Sequence, residues 1–325
     1  VESLSPGRWR GLKATSVEGN VFTILAFDQR GTYRRMMPDN VSYGDAVALK
    51  KQIVTALAPY TSAVLLDSMY GLDSAMSMSG QAGLIMSLEK SGYSGDATYR
   101  GLEFQDGWTV EKIKRMGASA VKMMVYYHPD TDELAEQLED IVRKVSQECH
   151  QYDLPLFLEP MSYSLDAAVA KESEAFAKTR PYVVRETARR LSALGPDVIK
   201  LEFPVDVTFN SDEAEWRREC EAVSEACAAP WVLLSAGVSF DTFEQQVLVA
   251  CEGGASGFLA GRAVWKEAIK MSPEERVPFL AEVAPERLRR LTDITVKHAK
   301  PWTEFYAAPM PDEDWYQSYE TLPTR

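Results

Sequence analysis

The chain has 325 residues, 46% hydrophobic and 26% charged, with a net charge of -13 at pH 7. These proportions fit a soluble globular protein, and the acidic balance argues against a nucleic-acid binder, which needs a broad basic face. No apolar run reaches the roughly 20 residues that span a bilayer, and the opening "VESLSPGRWRGLKATS" has no apolar signal core, so no membrane partner and a cytoplasmic location are expected.

Short β-rich runs alternate with longer helix-like segments along the chain. "VFTILAFD" (21–28) reads as a strand and "YGDAVALKKQIVTALAP" (43–59) as the helix after it; "SAVLLD" (62–67) is the next strand. "SAVKMMVYY" (119–127) follows the helical "WTVEKIKRMGA", and "LPLFLEP" (154–160) follows a long helical stretch from Asp132 to Tyr152. "DVIKLEFPV" (197–205), "PWVLLSAG" (230–237) and "SGFLAGRAVW" (256–265) each come after a further helix-like segment. These are seven strands; an eighth, third in order, is placed near "DATYR" (96–100). Eight strand–helix units in a chain longer than about 250 residues predict an α/β fold, a (β/α)8 TIM barrel, and no GxGxxG follows the first strand. We take residues 1–300 as the barrel and 301–325, rich in proline, aromatics and acids, as a C-terminal segment without a core of its own. Cys149, Cys220, Cys227 and Cys251 lie in helix-like stretches without a CxxC pair and read as free thiols.

Active sites of such barrels lie at the C-terminal ends of the strands. There the first strand offers Asp28, Gln29 and Arg30, the second Asp67, the fourth Lys122 and the fifth Glu159. The sixth holds Lys200 and Glu202, the seventh ends in Ser235, Ala236 and Gly237, and the eighth carries Gly261 and Arg262. A purely structural barrel would place Val, Ile and Leu at these positions. A single strand lysine is most often one that snorkels to water. Two of them, Lys122 and Lys200, with carboxylates nearby, suit instead an amine whose pKa is lowered from about 10.4 so that it attacks a carbonyl. Glu159 is the natural proton shuttle for such a route, and Glu202, on the Lys200 face of its strand, would balance charge around that amine. Gly237, Gly261 and Arg262 sit where barrels of this kind bind phosphate, and Arg30 could serve the other end of an elongated substrate. His128, His150 and His298 are scattered, so no metal and no cofactor are expected.

Several segments resemble the class I tagatose-1,6-bisphosphate aldolases: "LAFDQRG" (25–31), "LLDSMYGL" (65–72), "LEKSGY" (88–93), "VKMMVYY" (121–127), "FLEP" (157–160), "VIKLEFPV" (198–205), "LLSAGV" (233–238), "GRAVW" (261–265) and "PWTE" (301–304). The resemblance implies an aldolase that cleaves a ketohexose bisphosphate to dihydroxyacetone phosphate and glyceraldehyde 3-phosphate. It implies Lys200 as the Schiff-base lysine and Glu159 as the acid/base. Asp28, Gln29 and Lys122 would hold substrate hydroxyls or tune the amine, and Ser235, Gly237, Gly261 and Arg262 would grip the C1 phosphate. Asp67 and Arg30 are added as substrate-binding candidates. "PWVLLSAGV" and "GASGFLAGRAVW" are similar also to the aldolase branch that splits 6-deoxy-6-sulfofructose 1-phosphate, an alternative that differs at C6. A non-catalytic barrel that binds a sugar phosphate is the alternative of another class. A homo-oligomer is expected.

Overall fold

The strands of the chain alternate two buried faces and close on themselves. In a computed structural model that describes residues 2–310 and 312–319, β1 (Phe22–Phe27), β2 (Ala63–Leu66), β3 (Gly83–Ser87), β4 (Ala120–Tyr126), β5 (Leu156–Met161), β6 (Val198–Leu201), β7 (Trp231–Leu234) and β8 (Gly257–Ala260) form one closed, all-parallel barrel. Closure brings β8 beside β1, with Gly257 opposite Phe22 and Ala260 opposite Leu25. The strands are followed in turn by α1 (Tyr43–Leu57), α2 (Leu72–Ser77), α3 (Val110–Arg115), α4 (Glu133–Gln151), α5 (Glu174–Ser192), α6 (Glu213–Ala226), α7 (Phe240–Glu252) and α8 (Ala284–His298). This is the (β/α)8 barrel expected from the alternation.

The period of two assigns each strand residue to a face. Leu25, Phe27, Val64, Leu66, Val121, Met123, Leu156, Leu158, Ile199 and Leu233 point outward and pack against the helices in one continuous core. On α4 the matching face is Leu134, Leu138, Val142, Val145 and Cys149, at helical spacing. The inward set, Phe22, Ile24, Leu65, Ile85, Ala120, Phe157, Val198, Val232 and Leu259, fills the lower half of the barrel. Two residues further along the same inward rows stand Lys122, Glu159 and Lys200. The barrel is therefore apolar at the bottom and charged at the top.

The third strand differs from expectation. It is "GLIMS" at Gly83–Ser87, with Ile85 fully buried, and it pairs with both β2 and β4. The short α2, six residues long, hides the strand–helix rhythm at this point. "DATYR" lies instead in a two-stranded ribbon, Ser94–Gly95 against Arg100–Gly101, whose turn is held by the Asp96 carboxylate accepting from Thr98 and Tyr99 N–H groups.

The start of the C-terminal segment is part of the bottom layer. Trp302 is fully buried with Leu4, Leu12 and Tyr306 against the inward residues, and Tyr306–Ala307 pairs with Glu2–Ser3. The Trp302 indole N–H donates to Ser16 Oγ (3.1 Å) and the Tyr306 hydroxyl to the Asp197 carbonyl (2.9 Å). The four cysteines are free thiols. Among the described residues, no helix is long and apolar enough to cross a membrane.

Candidate active site

Lys122 is almost completely buried, and its ammonium lies where three carboxylates converge: Asp28 Oδ2 at 2.7 Å, Glu89 Oε1 at 2.9 Å and Glu159 Oε2 at 2.9 Å. The other Glu159 oxygen, Oε1, meets Lys200 Nζ at 2.7 Å. One carboxylate thus bridges two amines carried by two different strands. Arg30 completes the group: Nη1 donates to the Glu89 carbonyl (2.8 Å) and Nη2 meets Glu89 Oε1 (3.3 Å). Three cations, Lys122, Lys200 and Arg30, face three carboxylates, Asp28, Glu89 and Glu159, and this balance offsets the desolvation that any one of them would suffer alone.

Burial works against charge at Lys122, but Asp28, Glu159 and Glu89 outweigh it and hold the amine well above its ordinary pKa. Burial likewise disfavours the Asp28 carboxylate, and Lys122 and then Lys200 overcome this and hold it well below the usual range. Lys122 is therefore fixed as a cation at neutral pH. Lys200 meets a single carboxylate, Glu159, which it shares with Lys122.

The end of β1 is tied from behind. Lys50, on the buried face of α1 with Ala46, Ile53, Val54 and Leu57, donates to the carbonyls of Phe27 (2.8 Å) and Gln29 (3.2 Å), the residues flanking Asp28. Its partner is Asp67, whose other oxygen accepts the N–H groups of Met69 and Tyr70 at 2.8 Å each. Asp67 thus serves its own loop and Lys50, and is not brought to the Lys122–Glu159–Lys200 group. Arg30, in contrast, is brought to the group, where its charge is taken up by Glu89.

Glu202 also lies elsewhere than expected. Strand β6 ends at Leu201, so strict alternation stops one residue before it. Its Oε2 accepts from the Ser162 N–H (2.8 Å) and hydroxyl, and Oε1 meets Lys171 Nζ at 2.6 Å. Burial pushes this carboxyl up, while Lys171 and Arg180 pull it below its usual range. It pins the loop after β5, three residues beyond Glu159, and does not balance Lys200.

Ser235, Gly237, Gly261 and Arg262 do come together. Ser235 Oγ accepts the Gly261 N–H (3.1 Å), joining the ends of β7 and β8, and Arg262 Nη2 donates to the Ala236 carbonyl (3.3 Å). The Gln29 amide lies beside Gly261, and its buried Oε1 has no hydrogen-bond partner among the described residues. Burial pulls the Arg262 guanidinium below its ordinary pKa despite Glu159 and Asp28 nearby. A cleft of about 480 Å³ opens here, lined by Arg262, Ala236, Leu234, Met161, Glu202 and Lys171. Gly237 has φ of +85°, and a Cβ there would sit 2.9–3.2 Å from the Arg262 guanidinium. Gly237→Ala is expected to cost about 1–2 kcal/mol of backbone strain and to displace Arg262. Binding of inorganic phosphate, followed by calorimetry, should weaken about tenfold, a charge-assisted hydrogen bond's worth; unchanged binding would show that this corner does not hold anions.

Glu89 is the member of the reactive group that sequence reading misses. It stands two residues beyond Ser87, in "LEKSGY", and placing the third strand at 83–87 would have pointed to it. Lys50 also carried a signal, a lysine on the apolar face of a helix.

A family model described as DeoC/LacD family aldolase matches residues 22–267. The tagatose 1,6-diphosphate aldolase 2 of Streptococcus pyogenes serotype M1 is 33% identical, over 93% of this chain and 98% of its own. The tagatose 1,6-diphosphate aldolase of Lactococcus lactis subsp. lactis is 33% identical, over 93% of this chain and 99% of its own. Among solved structures, an archaeal fructose 1,6-bisphosphate aldolase superposes with a TM-score of 0.60 at 18% identity, covering 88% of this chain and 98% of that one. The fructose-bisphosphate aldolase from Slackia heliotrinireducens gives 0.67 at 15% identity, covering 99% and 94%; these two likenesses speak to the fold. A barrel with a buried, charge-balanced amine site thus meets its class. The chain belongs to the DeoC/LacD aldolase family. It is an aldehyde-lyase.

Proposed function

We propose that this aldolase is a class I enzyme that forms a Schiff base on Lys200 and cleaves a ketohexose 1,6-bisphosphate, tagatose 1,6-bisphosphate foremost, to dihydroxyacetone phosphate and glyceraldehyde 3-phosphate. The observation that carries the reading is Glu159, bridging Lys200 at 2.7 Å and Lys122 at 2.9 Å. The 33% identity to proteins named tagatose 1,6-diphosphate aldolase supports the substrate.

In this reading the C1 phosphate rests among Ser235, Gly237, Gly261 and Arg262, which sets C2 over Lys200. Lys200 Nζ adds to the C2 carbonyl, and Glu159 relays the proton that the amine sheds to the carbinolamine hydroxyl, which leaves as water. The resulting iminium draws electrons. Glu159 takes the C4 hydroxyl proton, the C3–C4 bond breaks, its electron pair moves into the enamine, and the aldehyde departs. Protonation at C3 and addition of water to the iminium then release the ketone and restore the amine. Lys122, held as a cation, orients Glu159 between the steps, while Asp28 and Gln29 hold substrate hydroxyls.

Incubation with dihydroxyacetone phosphate and borohydride should add the reduced triose phosphate to Lys200, located by peptide mass spectrometry. An adduct on another lysine, or none, would sink the assignment. A cleavage panel of tagatose, fructose, sorbose and psicose 1,6-bisphosphates with 6-deoxy-6-sulfofructose 1-phosphate ranks the substrates; we expect tagatose 1,6-bisphosphate to give the highest kcat/KM. The sulfonate substrate shares the C1 half, and a preference for it would move the enzyme to the other branch without altering the Lys200 chemistry.

A further inference from the structure

The ribbon that replaces the expected third strand carries a cation with no assigned task. It leaves the barrel after β3 and is rooted on the reactive group itself, through a backbone bridge between Glu89 and Phe104 and a Lys90 N–H to Glu103 carbonyl bond of 2.9 Å. At its far end the Arg100 guanidinium lies over three tyrosine rings, 4.6 Å from the centroid of Tyr93, 5.0 Å from Tyr126 and 5.1 Å from Tyr163. Tyr126 is on the inward row of β4, two steps beyond Lys122's neighbour Met124. Tyr163 is fully buried four residues after Glu159. Arg100 is therefore held against residues that lie beyond Lys122 and Glu159, at the end of β4 and past the end of β5, toward the mouth of the barrel.

Its position relative to the C1-phosphate corner follows from strand order. That corner is built by the ends of β7 and β8, and β3 stands four strands from β7 in a ring of eight. A chain anchored at that corner and bonded to Lys200 on β6 sends its remaining carbons across the mouth, toward the rim that Arg100 overhangs. Arg100 is also electrically uncommitted. Its Nε donates to the Ala97 carbonyl (3.0 Å), and among the described residues no carboxylate lies within ion-pair distance of it. A guanidinium over aromatic rings keeps its charge, and its Nη donors beyond the Nε bond to Ala97 can meet an anion. Arg30, the residue that sequence reading would send to this end, is already engaged by Glu89.

Building on the Schiff-base reading above, we propose that Arg100, seated on Tyr93, Tyr126 and Tyr163, binds the tetrahedral oxyanion at the end of the substrate distal from C1, a phosphate or a sulfonate. The site selects substrates with an anion at both ends. Arg100→Met keeps most of the side-chain bulk and removes the charge. Its kcat/KM should fall about 10- to 100-fold on the substrates with a C6 anion, the loss of one charge-assisted hydrogen-bonded contact. On tagatose 1-phosphate, which has no anion at C6, it should change less than about threefold. Comparing the fall on tagatose 1,6-bisphosphate with that on 6-deoxy-6-sulfofructose 1-phosphate tells which oxyanion the site serves; a larger fall on either one supports the assignment. An equal fall on all three substrates, as expected if Arg100 merely pins the ribbon, overturns it, and so does no fall on any. Borohydride trapping of dihydroxyacetone phosphate is run alongside in both proteins. No adduct in the wild type overturns the Schiff-base reading and this inference with it. Adducts in both proteins with an unselective kinetic effect overturn the role of Arg100 alone.

Discussion

Lys122→Met is expected to destabilise the barrel by about 3–5 kcal/mol at pH 7.5, the usual cost of removing one partner from a buried ionic group, measured by urea unfolding. The cost arises because Asp28, Glu89 and Glu159 all lose their shared ammonium while still buried. The pH dependence should change sign. In the wild type, the depressed Asp28 carboxyl adds stability above its unfolded pKa of about 3.9, and that stability is lost as pH falls further. The raised Lys122 amine contributes fully below about 10.4 and loses its contribution only in strong alkali. Without the lysine, three buried carboxylates keep only Arg30 and Lys200 to offset them, so one negative charge is left uncompensated. The penalty is then largest at neutral pH and relieved as protons are taken up. The gap between variant and wild type should therefore narrow from pH 7.5 to pH 5. A deficit below about 1 kcal/mol, independent of pH, would show that the cluster does not carry the charge balance of the barrel top.

The residues that could be read in the sequence are those where a strand's own alternation exposes the anomaly. "SAVKMMV", "LPLFLEP" and "DVIKL" are aliphatic runs in which Lys122, Glu159 and Lys200 fall on the inward row, and no crossing of the chain is needed to see that these three share an interior. What escaped depended on partners distant in the chain or on where a strand stops. Glu202 obeys the two-residue period on paper, yet β6 ends one residue earlier and the side chain turns to the loop after β5. Asp67 continues the inward row of β2 on paper, yet β2 ends at Leu66 and Lys50 reaches the carboxylate from α1, seventeen residues earlier. Arg30 reads as a free cation until β3 is placed at Gly83–Ser87, which brings Glu89 beside it. One misplaced strand therefore hid both a carboxylate of the site and the ribbon that carries Arg100.

Lys200→Met should separate the two lysines. In the proposed mechanism the substitution removes the nucleophile, so kcat for cleavage should fall on the order of 10⁴-fold or more, as when the nucleophile of a covalent mechanism is lost. Stability should hardly change. Glu159 keeps Lys122 at 2.9 Å, so no carboxylate is left unpaired, and methionine approximates the lysine stem in volume. We expect the urea midpoint to move by less than about 1 kcal/mol equivalent. Inorganic phosphate should still bind at Ser235, Gly237, Gly261 and Arg262, which calorimetry can measure. The same pair of residue types then yields opposite outcomes: loss of Lys122 is felt first in folding, loss of Lys200 almost wholly in turnover. The difference follows from geometry, because three carboxylates depend on one amine and only half of one carboxylate meets the other. If Lys200→Met retained turnover, or lost as much stability as Lys122→Met, the division of labour between a fixed cation and a reactive amine would be wrong.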